Sequence, residues 1–375
     1  MSAKKNDDRK SVVVVGGGAA GVNIARPLSF KLDATKYALV LINPRPFRVL
    51  LPATLRMVVS DADNLGTTAL VPYDKIFHAE NGTFLQDSVR SIQEKSLTLG
   101  SGQEVPYDIL ILASGLSWTD PIAFPDSAED TKAYLVRNHE KFAQAGSYLL
   151  AGGGAVGCEL AGELKDIWPE KEVTIMHKQR LLFNDTYTDR YRRSAANHLT
   201  ARGVTLHLDD TVEGLPAEAG PATVLTKGGL KLSADLVLKT TGPTHPNTDF
   251  IPSFDADALT PAGFVKVKPT LQLLNHPNIF AAGDIIEWNE QKQAIKAGAH
   301  AKLVVQNVLG YISGNGSSLK TYKTGFEAIL VTNGKRGGIS YFGVLWGLIF
   351  GGWFTALLKS KSLLVPMFRK ESGLV

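Results

Sequence analysis

Two glycine-rich segments of this 375-residue chain have the residue types and spacing that bind phosphate groups. The first fingerprint is GGGAAG at 16–21, and the second fingerprint is GGGAVG at 152–157. Each follows a short apolar run, SVVVV at 11–15 and YLLA at 148–151. Glycines here allow a tight turn and let the backbone approach a pyrophosphate, which the N–H groups of the next helix bind. The sequence therefore predicts two strand–turn–helix units, each with a dinucleotide site.

The predicted dinucleotide contacts lie in the fingerprints and at the strand ends that follow them. In the fingerprints they are Gly16, Gly18, Ala19, Ala20, Gly21, Gly152, Gly154 and Gly157. Such a unit usually has an acid at the end of its second strand, where it binds ribose hydroxyls. Here those strands end at Asn43 and His177, so neither has the acid. Asn43 can still bond a ribose. His177 is either a site residue or a surface strand end, and neighbouring Lys178 and Arg180 can attract a 2′-phosphate, so NADH and NADPH both stay open.

Two further apolar strands end in small or acidic residues. YDILILASG at 107–115 supplies Ala113 and Gly115, and NIFAAGD at 278–284 supplies Asp284. A carboxylate just past a strand can accept hydrogen bonds from the hydroxyls of a polyol, although an isolated Gly-Asp pair is also a common turn. A third strand end, at Gly242, has the Gly/Pro content expected where the chain passes from one domain to another.

Composition excludes several classes of protein. Cys158 is the single cysteine, so the chain has neither an intramolecular disulfide nor a CxxC pair, and we predict no metal site. The net charge is +4 without a long basic run, so we expect no nucleic-acid partner. The first ten residues lack the apolar core of a secretory signal, and Ser2 stands where N-myristoylation needs glycine. These features predict a cytoplasmic protein.

The segment 337–358 contains no charged residue, which leaves three interpretations open. It could be a transmembrane helix, a strand and helix of a small C-terminal domain, or a surface that dips into lipid, and the last two are compatible. Its aromatic residues fall at helix-like spacings and are flanked by basic residues, which favours contact with a lipid interface. The four aromatic residues with this spacing are Trp346, Phe350, Trp353 and Phe354, and the basic residues are Lys335, Arg336, Lys359 and Lys361.

The order of these motifs resembles the flavoprotein superfamily with two dinucleotide-binding domains. Within it, the stretches 51–61, 152–177, 294–308 and 357–370 are similar to the apoptosis-inducing-factor-homologous proteins, relatives of type II NADH dehydrogenases. The resemblance implies FAD at the first fingerprint and NADH or NADPH at the second. It also implies that Asp284 binds the ribityl chain of FAD.

The same resemblance implies roles for four other residues. Arg56 would lie near the flavin or its phosphates, and Glu159 would lie where nicotinamide meets flavin. His300 lies on the helix whose N-terminus would point at the flavin, and Lys359 would approach the flavin. Each also has a simpler interpretation. Arg56 could be a surface cation and Glu159 an acid at a helix N-terminus. His300 could pack in the core, and Lys359 could be a cation at a helix end. We predict Glu159, His300 and Lys359 as catalytic residues. Further predicted cofactor contacts are Arg56, Ala113, Gly115, Glu159 and Gly242.

The predicted fold class is α/β, with two Rossmann-like domains and a small C-terminal α+β domain. The FAD domain comprises 8–118 and 246–320, and the NAD(P)H domain at 119–245 interrupts it. The segment 325–375 forms the third domain and faces a membrane or a quinone.

The predicted function is an FAD-dependent NAD(P)H:quinone oxidoreductase in peripheral contact with a membrane. The outer mitochondrial surface and lipid droplets are candidate membranes, and the chain could be a monomer or a homodimer. Two alternatives remain: a reductase of a small electron-transfer protein, and a redox-sensing cell-death flavoprotein with little turnover.

Overall fold

The computed structural model describes residues 8–314 and 319–374, so Ser2 and part of the predicted FAD domain lie outside the described residues. Its strands, in chain order, are β1 (Lys10–Val15), β2 (Tyr37–Asn43), β3 (Phe47–Val49), β4 (Leu70–Pro72), β5 (Thr83–Gln86), β6 (Val89–Ile92), β7 (Ser96–Leu99), β8 (Glu104–Pro106), β9 (Ile109–Leu112), β10 (Ser147–Ala151), β11 (Glu172–His177), β12 (Val204–Leu208), β13 (Val212–Glu213), β14 (Gly220–Thr226), β15 (Lys231–Lys239), β16 (Ile279–Ala281), β17 (Ala328–Thr332), β18 (Gly338–Phe342) and β19 (Leu348–Phe350). Its α-helices are α1 (Ala19–Lys31), α2 (Thr54–Val59), α3 (Leu65–Thr68), α4 (Ala128–Gln144), α5 (Ala155–Ile167), α6 (Asp189–Thr200), α7 (Ala294–Ile312), α8 (Gly352–Thr355) and α9 (Val365–Glu371).

The first unit is built on a five-stranded parallel sheet in the order β16–β9–β1–β2–β5. Its central strand has Val12, Val13 and Val14 fully buried, as expected for a parallel strand covered on both faces. Helices α1 and α7 pack against each other beside this sheet. A three-stranded antiparallel sheet, β6–β7–β8, lies in the same stretch of chain.

The second unit repeats this plan. Its sheet has the order β12–β11–β10–β15–β14–β13, in which β12, β11, β10 and β15 are parallel and the last two strands are antiparallel. In both sheets the strand before a fingerprint, β1 or β10, lies where the strand order reverses. Ligands bind at the carboxyl ends of parallel strands at such positions. The predicted α/β class is confirmed.

The C-terminal unit combines an antiparallel sheet, β17–β18–β19, with α8, a π-helical turn at Ala356–Ser360 and α9. The aromatic residues with helix-like spacing in the sequence do not share one helix. Trp346 lies in the tip between β18 and β19, where its φ is +64°, and Phe350 lies in β19, so only Trp353 and Phe354 are in α8. Glycines recur through this stretch and disfavour a continuous helix, and Gly347 has φ +91°.

The alternative of a membrane-spanning helix at 337–358 is not realised, because the segment folds as a hairpin and a short helix. Across residues 8–314 and 319–374, every helix is too short or too polar to cross a bilayer.

Candidate functional site

The backbone of the first fingerprint forms a cradle that is closely packed at Gly16 and Gly21 and open at Gly18. Gly16 has φ +101°, and a Cβ there would lie 2.3 Å from the Ala113 carbonyl oxygen. A Cβ at Gly21 would lie 1.7 Å from the Gly16 carbonyl oxygen. At Gly18, by contrast, no heavy atom would lie within 4 Å, and this N-cap of α1 has no side-chain capping bond. The N–H groups of the first turn of α1, beginning at Ala19 and Ala20, are thus available to an anion.

The middle glycine of the first fingerprint is held by two side chains. Asn43 Oδ1 accepts the Gly17 N–H at 2.9 Å, and Tyr73 donates its hydroxyl to the Gly17 carbonyl at 2.8 Å. Asn43 Nδ2 donates to the Arg45 carbonyl at 2.9 Å. Both ends of the Asn43 amide therefore bond the protein itself. These contacts favour support of the loop over the predicted ribose contact, which stays a prediction.

The second fingerprint has the same geometry. Gly152 has φ +142°, and a Cβ there would lie 2.5 Å from the Thr240 carbonyl oxygen, while one at Gly157 would lie 1.9 Å from the Gly152 carbonyl oxygen. Gly154, the N-cap of α5, has open space and no side-chain cap. The Thr240 hydroxyl donates to the Gly152 carbonyl at 2.9 Å.

His177 supports the second fingerprint as Asn43 supports the first. Its Nδ1 accepts the Gly153 N–H at 3.1 Å, and its Nε2 lies 3.0 Å from the Phe183 carbonyl oxygen, to which it donates as the neutral ring. Burial lowers the pKa of His177, which keeps this tautomer at neutral pH. Each strand end that lacks the ribose-binding acid thus has a side chain that accepts the N–H of the middle glycine. The sequence analysis did not predict these two contacts to the middle glycines. The available signal was that Asn43 and His177 occupy equivalent positions after their fingerprints.

Asp284 lies beside the first fingerprint. A Cβ at Gly283 would lie 3.0 Å from the Cβ of Ala20, so the loop after β16 packs on the start of α1. Burial raises the pKa of the Asp284 carboxyl, and the charge of Lys292 opposes this rise. Within the described part of the chain this carboxylate has no hydrogen-bond donor. A partly buried carboxylate without a donor fits a ligand that brings hydroxyl groups.

His300 holds the loop of Asp284 in place. Its Nδ1 accepts the Gly283 N–H at 3.2 Å, and its Nε2 lies 2.9 Å from Glu290 Oε1. Burial, followed by the charges of Lys292 and Lys296, lowers the pKa of His300 to about 4. The ring is 2 % exposed and is not on the wall of the large cavity described next. Its contacts favour a positioning role, and the catalytic role stays a prediction.

A cavity of about 1070 Å³ connects the second fingerprint with the C-terminal unit. Between them it passes the first turn of α7, whose N-cap Gln293 makes no side-chain cap, so free N–H groups face this space. On the fingerprint side the wall includes Gly152, Gly153, Gly154, His177 and Lys178. On the C-terminal side it is largely apolar and includes Ile329, Leu330, Phe342, Leu358, Met367 and Phe368.

The structure brings together two predicted catalytic residues that are 200 positions apart in the chain. Lys359 Nζ donates to Glu159 Oε1 at 2.6 Å and to the Leu330 carbonyl at 2.8 Å. Glu159 Oε1 also accepts the Thr332 N–H at 2.9 Å. The two side chains are 12 % and 11 % exposed, and Lys359 reaches the cavity wall. The arrangement places a positive charge, held by a carboxylate, at the edge of the cavity between fingerprint and C-terminal unit.

The remaining predicted contacts lie elsewhere. Arg56 is buried and makes a two-point ion pair with Glu163, with distances of 2.7 and 2.9 Å, so it joins α2 to α5 rather than lining the large cavity. Gly115 and Gly242 have φ +71° and +95° and flank the crossing between the units, where Leu116 bridges Pro246. Arg56 as a flavin contact stays a prediction that its ion pair does not support.

Cys158 lies behind the second fingerprint, where it is 1 % exposed, and burial raises the pKa of its thiol. Because only the thiolate reacts readily, we expect the native protein to resist a thiol-modifying disulfide reagent and to react once unfolded in urea. We also expect Cys158→Ala to keep kcat within about twofold, since the change removes only packing and a weak hydrogen bond of 3.7 Å from Sγ to the Gly153 carbonyl. Rapid labelling of the folded protein, or a large loss of kcat in the variant, would contradict this.

Comparisons with known proteins agree with this geometry. The sequence profile of the pyridine nucleotide-disulphide oxidoreductase family matches residues 10–301. A relative from Flammulina velutipes, FAD-dependent oxidoreductase FVFD30, is 44 % identical over 84 % of this chain and 99 % of its own length. Ferroptosis suppressor protein 1 of Xenopus tropicalis is 32 % identical over 77 % of this chain and 79 % of its own.

A solved structure shares the fold. The sulfide:quinone oxidoreductase of Aquifex aeolicus superposes with a TM-score of 0.77 at 18 % identity, covering 96 % of this chain and 92 % of the other. The resemblance inferred from the sequence and the pair of cofactors predicted from it are confirmed. The chain belongs to the pyridine nucleotide-disulphide oxidoreductase family and is an FAD-dependent oxidoreductase whose two dinucleotides are FAD and NAD(P)H.

Proposed function

We propose that the chain is an NAD(P)H:quinone oxidoreductase, with FAD in the first unit and NAD(P)H in the second. The observation that carries this proposal is the cavity of about 1070 Å³, which runs from the second fingerprint to an apolar wall in the C-terminal unit. A nicotinamide nucleotide and a quinone need such a space, because one end must bind phosphate and the other an apolar ring. The domain limits predicted from the sequence form part of this proposal.

The residues of the chain position and stabilise the reactants. FAD, when bound, supplies the chemistry of accepting a hydride from NAD(P)H and passing two electrons to a quinone. The open N-caps Gly18 and Gly154 let each pyrophosphate approach a helix N-terminus. Asp284 accepts hydrogen bonds from the polyol of FAD. Lys359 provides positive charge at the cavity wall, and Glu159 keeps it oriented.

An exposed apolar surface adjoins the cavity and fits peripheral contact with a membrane. Trp346 at the hairpin tip is 97 % exposed, Trp353 is 76 % exposed, and Leu345 and Leu357 are 72 % and 64 % exposed. Aromatic residues with exposed basic neighbours, here Lys335, Arg336 and Lys361, are typical of a lipid interface, whereas Lys359 is turned to the cavity. A lipid-dissolved quinone could then enter the cavity from its apolar side.

Trp346→Ser tests this surface. We expect the variant to bind phosphatidylcholine vesicles about tenfold more weakly in a co-sedimentation assay, because a tryptophan side chain no longer inserts at the interface. Val136→Ser is the matched control, since Val136 is 51 % exposed on α4 and far from the hairpin in the chain. Equal binding by wild type and Trp346→Ser would contradict membrane contact through the hairpin.

An anaerobic titration of the purified protein tests the reaction itself. NADH or NADPH should bleach the visible flavin band, and a short-chain ubiquinone should restore it at once. The two donors, compared in parallel, identify the preferred nucleotide. If NAD(P)H bleaches the flavin band and added quinone does not restore it, the proposal is overturned, and a protein acceptor or a redox-sensing role is favoured.

A further inference from the structure

A second cavity, of about 460 Å³, lies between the α2–α3 segment and the C-terminal segment, and it shares no lining residue with the large cavity. Its wall has three cationic side chains, Arg56, Lys361 and Arg369, against the single carboxylate of Asp63. That carboxylate already pairs with Lys335, outside the wall. The cavity therefore has an excess of positive charge that the reaction proposed above does not use.

Arg56 leaves one donor of its guanidinium unused. Its Nε and Nη2 bond Glu163, and Nη2 also donates to the Ser360 carbonyl. Its Nη1 has no hydrogen-bond partner although the side chain is only 3 % exposed, and the carboxylate of Asp63 lies 3.5 Å away. Arg56 therefore contributes a fixed positive charge to the wall of the second cavity, beside the Asp63 carboxylate.

The two other cations are placed to reach the same ligand. Lys361 is exposed at the rim, and within the described residues its ammonium group has no ion pair. Arg369 Nη1 donates to the Thr68 carbonyl at 3.1 Å, which fixes the guanidinium at the wall and leaves its other donors available. Two guanidinium groups and an ammonium around one space are the donor set that a phosphate group prefers.

We propose that this second cavity binds a phosphate group. The volume exceeds that of inorganic phosphate, so the rest of a phosphorylated molecule also has room. The source could be a soluble phosphate ester or a lipid headgroup. The lipid source fits because Leu357 and Met367, on either side of Lys361 in the chain, are 64 % and 47 % exposed.

Lys361→Ala tests the site without disturbing the Arg56–Glu163 pair. Inorganic phosphate is titrated calorimetrically into the FAD-loaded full chain at constant ionic strength. We expect wild type to bind and Lys361→Ala to bind about tenfold more weakly, as expected for one lost charge-assisted contact. Lys370→Ala replaces an exposed lysine that lies in α9 but off the cavity wall, and its affinity should stay within about twofold of wild type. Phosphate held at the fingerprints would not respond to Lys361→Ala, so this difference isolates the second cavity.

Vesicles distinguish the two sources. Phosphatidylcholine vesicles with and without phosphatidic acid are sedimented with wild type, Lys361→Ala and Lys370→Ala. Loss of the phosphatidic acid-dependent binding in Lys361→Ala alone identifies a lipid headgroup, and equal vesicle binding together with weaker binding of inorganic phosphate identifies a soluble ester. The proposal would be overturned if wild type and Lys361→Ala bound inorganic phosphate equally well and also bound phosphatidic acid vesicles equally well. It would also be overturned if wild type bound neither inorganic phosphate nor these vesicles.

Discussion

Replacing Lys359 with methionine is expected to lower kcat for quinone reduction about 100-fold while FAD stays bound. Lys359 puts its ammonium group at the wall of the large cavity, where Glu159 and the Leu330 carbonyl orient it. A positioned positive charge stabilises negative charge that develops as electrons reach an acceptor, and removal of one such group typically costs two to three orders of magnitude. The measurement is steady-state NAD(P)H oxidation with a short-chain ubiquinone, together with the visible flavin spectrum.

Stability must be separated from chemistry in this test, because removing one member of a buried ion pair leaves the other uncompensated. The double variant Glu159→Gln/Lys359→Met removes both charges, so we expect its Tm to recover relative to Lys359→Met while its kcat stays low. Lys370→Met controls for the loss of a lysine elsewhere in the C-terminal unit. If kcat of the double variant recovers with Tm, Lys359 has a structural role only.

Much of the fold could be predicted from the sequence, because the signals are local. Apolar runs of β-branched residues followed by glycines predicted β1 and β10, and β2, β11 and α7 begin or end close to their predicted positions. Parallel strands are buried on both faces, so they are visible as continuous apolar stretches. Family resemblance placed Glu159 and Lys359 separately near the flavin, and their ion pair was not predicted, since no local pattern links residues 200 positions apart.

The sequence was least informative where tertiary contacts decide the outcome. The aromatic spacing at 346–354 has a helical period, yet glycines and strand pairing with β18 produce a hairpin. Asn43 was predicted to bond a ribose, and His177 was left open between a site residue and a surface strand end. The spacing did not indicate that each accepts the N–H of the middle glycine of its fingerprint. Family resemblance placed Arg56 near the flavin or its phosphates, and nothing in the sequence shows that Glu163 lies opposite it. A side chain's partner across two units is a property of packing and cannot be deduced from spacing.

Alanine at Gly18 and at Gly154 should separate the two cofactor sites, and these variants have the largest expected effects on binding. Both glycines are N-caps with φ of −76° and −84°, which alanine adopts, and a Cβ at either has no heavy atom within 4 Å. The fold should therefore tolerate both changes, whereas Gly16→Ala would place a Cβ 2.3 Å from the Ala113 carbonyl oxygen. The added methyl group instead occupies the space through which a pyrophosphate approaches the helix N-terminus.

We expect Gly18→Ala to be purified largely without FAD and to bind added FAD at least about 100-fold more weakly, because two or more charge-assisted N–H bonds are lost. Gly154→Ala should keep its FAD, and its KM for NAD(P)H should rise by a similar factor. Flavin absorbance after gel filtration and fluorescence titration with FAD measure the first effect, and steady-state kinetics measure the second. The reverse pattern, with FAD lost from Gly154→Ala and retained in Gly18→Ala, would exchange the two sites. Full FAD and unchanged KM in both variants would mean that neither N-cap touches a pyrophosphate, and the assignment of both cradles would fail.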